Sequence, residues 1–270
     1  MLPNTLTEVT ISDFQSFLDN VDQNQQSDQS SLWFRGAGNS SYTLSPTLHR
    51  HTLITDSVTL LQYEKKLLTR FKERSVPYLK NRIEDAWELL FLMQHYGMPT
   101  RLLDWTENPF ISLFFALSSA KKNDNGEYDK DAAVWVLSPS KWNQTVFSNI
   151  SYTGSAVSPT EAMVSSYKPE GNDPQLMQEH PVAILGIHNS PRIVAQRGSF
   201  CLFGKSLIPM EEIYKTGNFP QDTLKKLIIP ASLIDELLKK LVWMGITDSV
   251  IYPDLEGLAK ETKRLFGFGV

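Results

Sequence analysis

Residues 94–117 read QHYGMPTRLLDWTENPFISLFFAL, and this stretch decides how the rest of the chain is read. Its second half is apolar almost all round, which predicts a central, buried helix over 109–120. Thr106 or Asn108 stands ahead of it as an N-cap, and Pro109 falls near its first turn. Its first half closes a helix predicted over 84–96, with Gly97 in the usual place past a C-cap. Residues 100–105 are left between the two as a strand. That strand and its flanks carry His95, Tyr96, Arg101, Asp104, Trp105 and Thr106. Charged side chains set between two buried segments are costly unless paired. The stretch therefore reads as a site as well as a core.

Outward from it, residues 6–19 alternate and then open a short helix capped by Ser12 or Asp13. Residues 20–31, NVDQNQQSDQSS, are polar and read as a loop with little power to bury itself. Residues 32–35 form a strand, and Gly36 and Gly38 bracket a turn where a ligand could approach the backbone. A long amphipathic helix follows over 58–78. Downstream, 132–137, 182–187, 192–196, 199–203 and 224–229 read as strands. Residues 232–244 and 255–266 read as helices. Residues 149–179 lack regular pattern and are expected to be mobile when no ligand is bound, and a lid if they order on ligand binding. Helices lead and strands dominate the middle, so the expected fold is α+β, a single domain with a mixed or antiparallel central sheet. The expected division is an N-terminal helix and polar loop over 1–31 and one domain over 32–270.

Composition narrows the function classes. Among 270 residues the formal net charge is −4, so binding of nucleic acid through bulk charge is disfavoured. A single cysteine, Cys201, excludes an internal disulfide and reads as a small buried hydrophobe. The five histidines show no zinc-type spacing, and no metal site is expected. No apolar run is long enough to span a bilayer, and the N-terminus has no basic segment followed by an apolar run. A cytoplasmic protein without a membrane partner is the expectation.

The candidate residues each carry two readings. Arg35 is an anion ligand or an ion-pair partner of Asp104 or Glu88. Asp104 orients a hydroxyl, acts as a base, or fixes Arg35 or Arg101. Trp105 stacks on a flat ring or fills the core. Thr106 caps the helix, contacts a ligand, or both, since helix starts bind anions. His95 gains from a helix C-terminus, and it is also the best proton-transfer candidate. Arg101 pairs with Asp104 or contacts phosphate. Gln196, in Gln196-Arg197-Gly198, marks a strand interruption or a ligand contact.

Trp33-Phe34-Arg35-Gly36, Leu44-Ser45-Pro46-Thr47-Leu48, the run from Gln94 to Thr106, Ala195-Gln196-Arg197-Gly198-Ser199-Phe200 and the run from Tyr252 to Ala259 resemble the FRG domain. That resemblance implies a prokaryotic or phage-associated protein. Phe34-Arg35-Gly36, and Asp104-Trp105-Thr106 with the helix after it, are also similar in order to ADP-ribosyltransferases, which implies a core of that type. This second resemblance implies an NAD-dependent transferase acting as a toxin or antiphage effector. Arg35, Asp104, Gln196 and His95 would be catalytic. Arg35, Gly36, Tyr96, Arg101, Trp105 and Thr106 would hold the NAD. The acceptor would be nucleic acid or protein, and an antitoxin or defence-system protein would be the partner. The chain departs from the second pattern where a Glu is usual, since 192–203 offers Gln196 and no acid. Two alternatives stand beside it: a non-catalytic module that binds a nucleotide or a nucleic-acid end, and a metal-independent nuclease.

Overall fold

Seven runs rich in β-branched and aromatic residues pair into one sheet, and capped amphipathic segments between them form its two covering layers. A computed structural model describes residues 4–28, 30–169, 175–187 and 190–268. The strands are β1 (Thr7–Thr10), β2 (Trp33–Ala37), β3 (Leu102–Thr106), β4 (Ala132–Leu137), β5 (Val182–Leu185), β6 (Gly198–Leu202) and β7 (Leu224–Ile229). They lie in the order β1-β7-β4-β2-β3-β6-β5. β1 runs parallel to β7 and every other pairing is antiparallel. The fold is α+β, a single domain built on a mixed sheet, as the order of elements predicts.

The helices are α1 (Phe14–Ser27), α2 (Ser57–Ser75), α3 (Ala86–His95), α4 (Pro109–Ser118), α5 (Pro139–Val146), α6 (Pro191–Ala195), α7 (Met210–Thr216), α8 (Ile234–Trp243), α9 (Asp248–Ile251) and α10 (Leu255–Leu265). Side-chain caps start most of the longer ones. Asp13, Asp56, Asp85 and Asn108 accept from the first-turn amides of α1, α2, α3 and α4, which satisfies donors that have no partner inside a helix. Among the described residues no helix is long and apolar enough to cross a membrane.

Alternation along the strands sends side chains to two faces. On one face Phe34, Val134, Val136, Leu227 and Ile229 pack with α4, α8 and Phe17 of α1. On the other, Trp33, Trp135, Leu103 and Trp105 pack with Trp142 of α5 and Tyr214 of α7. Leu102, Phe200 and Leu202 meet Trp87, Leu90 and Phe91 of α3 in a third cluster. Every residue of β4 is buried, as expected of a strand covered on both faces.

Helix α4 is as buried as its composition predicts, with Leu113, Phe114, Ala116 and Leu117 at 1% exposure or less. Its approach to β2 explains two glycines differently from the expected turn. A Cβ on Gly36 would stand 2.0 Å from Ser112 O and 2.5 Å from Ala116 N, and one on Gly38 would stand 2.4 Å from Ser119 O. Both glycines admit the helix backbone itself, and Gly36 lies within β2 rather than in a turn.

Three other expectations are corrected. Most of 20–31 is helical, because Gln15 donates to Asp19 and Gln26 to Asp22 across single turns while Phe17 is buried. β1, from the N-terminal segment, is an edge strand of the sheet. Residues 192–195 are helical and Gln196 ends the helix rather than a strand, because Ser190 caps α6 and Pro191 fills its first position. Residues 149–179 have apolar anchors that the expected lid would lack. Val157, Val164 and Tyr167 are fully buried, and Val157 bridges Ile184. Residues 170–174 of that segment lie outside the described residues.

Two substitutions test the seat of α4. Phe114→Ala should lower stability by about 3–5 kcal/mol in denaturant unfolding. Gly36→Ala should cost about 2–3 kcal/mol or more, because backbone atoms cannot give way as a flexible side chain can. Gly97→Ala is the contrast. It has φ +72° and nothing within 4 Å of the added Cβ, so it should cost only about 1–2 kcal/mol of left-handed strain.

Candidate functional site

The sheet nearly parts in its middle. β2 pairs with β4 over five residues and β3 pairs with β6 over five, but β2 and β3 share only the pair Phe34↔Thr106. Beyond that pair the strands diverge, and Arg35 crosses the gap to donate from Nη1 to Asp104 O at 2.6 Å. A cleft of about 270 Å³ opens there. Arg35, Gly36, Asp104 and Thr106 form its floor. Its walls are Phe91, Gln94 and His95 from α3, Phe115 from α4, and Arg192 and Gln196 from α6 and its end. Phe34 and Phe200 add apolar surface.

Each polar group in the cleft has a definite setting. Asp104 is exposed, and both of its carboxylate oxygens accept from Gln94 Nε2 at 3.0 Å. Gln94 is itself fixed from behind by the Thr100 hydroxyl. Asp104 is the one carboxylate among the described residues that line the cleft. Arg35 is half-buried; burial pushes its guanidinium below the ordinary value, and the nearby Asp104 carboxylate pushes it back up. Arg35 forms no salt bridge among the described residues. Thr106 donates to Gln196 O at 2.6 Å and accepts from Asn108 N at 3.0 Å. Asn108, not Thr106, is the cap of α4. Gln196 donates to Ile251 O at 3.2 Å. His95 ends α3 with Nδ1 3.4 Å from Ser190 Oγ. Burial lowers its pKa, Arg192 lowers it further, and Asp254 partly offsets both. Its ring is therefore neutral at neutral pH and able to accept a proton.

Three expected site residues lie elsewhere or act differently. Arg101 does not line the cleft. It is fully buried, with Nε on Glu64 Oε1 at 2.7 Å, Nη2 on Tyr167 O at 2.9 Å and Nη1 on Phe203 O. Its partner is Glu64 of α2 rather than Asp104, and it ties α2, β3 and the 149–179 segment together. Tyr96 is 67% exposed and lines an outer pocket instead. Trp105 touches the cleft, but alternation turns it away from Asp104 into the cluster of Trp33 and Trp135. Trp105 and Tyr96 therefore do not face each other as a ring sandwich.

The structure also adds residues that sequence reasoning left without a role. Gln94 lay inside the decisive stretch, but its amide was not read as the holder of Asp104. Arg192 was hidden by the strand assigned to 192–196. The Ser190-Pro191 start was the signal that could have placed it on a helix. Among the described residues no group of three His, Cys, Asp or Glu is placed to hold a metal ion.

The FRG domain model matches residues 30–125, which supports an FRG domain over that part of the chain. The matched segment contains β2, β3 and α4, and with them Arg35, Asp104 and Thr106. Arg192 and Gln196 fall outside it. Neither the curated proteins nor the solved structures gave a match. The resemblance to ADP-ribosyltransferases finds no support in these comparisons.

Behind the cleft floor, His49 gives a test of stability against pH. Its ring meets Phe203 edge-on at 5.1 Å, and both ring nitrogens are buried without a hydrogen-bond partner among the described residues. Burial, and then the Arg101 charge, push its pKa down to about 3. Below the ordinary histidine value the unfolded chain takes up a proton that the folded chain refuses. Stability should therefore fall as pH drops from about 6.5 toward 3, with a slope approaching about 1 kcal/mol per pH unit from this group. Urea unfolding of the wild type and of His49→Phe across that range should show a shallower slope in the variant.

Proposed function

We propose that the cleft binds NAD and that the protein is an NAD-dependent ADP-ribosyltransferase, acting as a toxin or antiphage effector. The observation that carries this reading is Arg35, a half-buried guanidinium without a salt bridge among the described residues, beside Asp104 in a cleft walled by aromatic rings. A half-buried guanidinium without a salt bridge favours an anionic ligand. Phe34, Phe91, Phe115 and Phe200 suit a flat ring, and the polar groups beside them suit a ribose. NAD, when bound, supplies the labile bond between nicotinamide and ribose.

In this reading Arg35 binds phosphate oxygens through its planar fork. Asp104, oriented by Gln94, presents a fixed negative charge where positive charge develops. His95, neutral and facing Ser190 through Nδ1, accepts the acceptor's proton at Nε2. The acceptor would be nucleic acid or protein, and an antitoxin or defence-system protein would be the natural partner. One observation favours a second reading, a non-catalytic nucleotide or nucleic-acid-end binding module. β6 carries no carboxylate, and both Asp104 oxygens already accept from Gln94. A nuclease using His95 and Arg35 loses the help of Arg101, which serves the fold.

The test is release of free nicotinamide from NAD, with nucleic acid and cell lysate offered as acceptors. Asp104→Asn should lower turnover by about 100-fold or more while the chain stays folded. Arg35→Lys should lower it by about 10- to 100-fold, since lysine keeps the charge but not the fork. NAD binding without turnover for any acceptor would select the binding module. No NAD binding by calorimetry, together with no turnover, would reject both uses of NAD.

A further inference from the structure

Arg192 is the second guanidinium in the cleft, and it stands where two cavities meet. It lines the inner, aromatic cleft and also an outer, more polar pocket of about 400 Å³ shared with Thr47, Tyr96 and Glu256. Gln94, His95, Asp104 and Arg192 belong to both cavities and form the sill between them. The guanidinium of Arg192 lies 4.6 Å over the ring of Tyr252, which meets Phe115 of α4 edge-on. The nearby acids are already engaged: Glu256 pairs with Lys260 at 2.8 Å, and Asp104 accepts from Gln94. Arg192 forms no salt bridge among the described residues.

We infer that Arg192 is a phosphate ligand of this site, holding the phosphate of a bound nucleotide at the sill with its base or nicotinamide ring in the inner cleft. The inference rests on the nucleotide reading of the cleft and adds to it the place where the phosphate sits. Contact with the Tyr252 ring restrains the guanidinium before any ligand arrives, so less freedom is lost when it binds two oxygens. Half-burial keeps the charge less screened by salt than on an open surface. Arg35 lies on the cleft floor with one nitrogen committed to Asp104 O, whereas Arg192 stands at the passage to the outer pocket. A dinucleotide threading from one cavity to the other would pass Arg192.

Calorimetry with nicotinamide mononucleotide and nicotinamide riboside isolates the phosphate, because the two probes differ by that group alone. The wild type should prefer the mononucleotide by about tenfold or more. In Arg192→Gln the preference should shrink to about twofold or less. Arg192→Met, which keeps an apolar stem over Tyr252, should behave alike and guards against a folding defect in the first variant. An undiminished preference in both variants, with the preference lost in Arg35→Gln, would overturn the role of Arg192 and leave the nucleotide reading standing. Failure of the wild type to bind either probe would overturn the nucleotide reading and this inference with it.

Discussion

The contact of the α4 backbone with β2 at Gly36 sets the positions of everything around the cleft. A helix normally stands off a sheet by the thickness of its side chains. Here the missing Cβ lets Ser112 and Ala116 lie against the strand itself. The start of α4 follows the end of β3 by two residues, and there Thr106 serves both Asn108 and Gln196. It also leaves Phe115 at the cleft wall while Phe114 enters the core. The glycine of Phe34-Arg35-Gly36 thus acts through packing, and its neighbour Arg35 supplies the charge.

Arg101 is the structural counterpart of Arg35. Both lie on or beside the two strands that diverge, and both would be expensive to bury alone. Arg101 is neutralised by Glu64 and carbonyl oxygens from two further segments, which makes it a bracket behind the sheet. Arg35 has one carbonyl and an adjacent carboxylate held by an amide. The contrast between full satisfaction and partial satisfaction separates the residue that holds the fold from the residue that holds a ligand in the proposed function.

What could be read in the chain was mostly local. The apolar circumference of α4, its Thr106 or Asn108 cap with Pro109, and Gly97 are features of a few neighbouring residues, and they placed α3, β3 and α4 to within about two residues. Arg35, Asp104, Gln196 and His95 were recognised as polar residues at element ends, and they do share one cleft. Partners distant in the chain were not legible. Glu64 stands 37 positions from Arg101, and nothing local distinguishes its carboxylate from that of Asp104. α6 was misread because Ile193-Val194 favours a strand, while its cap and proline were the stronger signal. The glycines were recognised as points of close approach, but the approaching group proved to be a helix of the protein itself.

Among the described residues one pair, Phe34 and Thr106, is the only ladder rung joining the four-stranded and three-stranded halves of the sheet. A hinge motion along this seam disturbs a single rung, whereas the same motion between β2 and β4 would shear five. Stiffness across the seam therefore comes from side chains, chiefly the Arg35 bond to Asp104 O, and from α4 clamped on Gly36. In the proposed function, a ligand that engages Arg35 would therefore also bear on the contact between the two halves of the sheet.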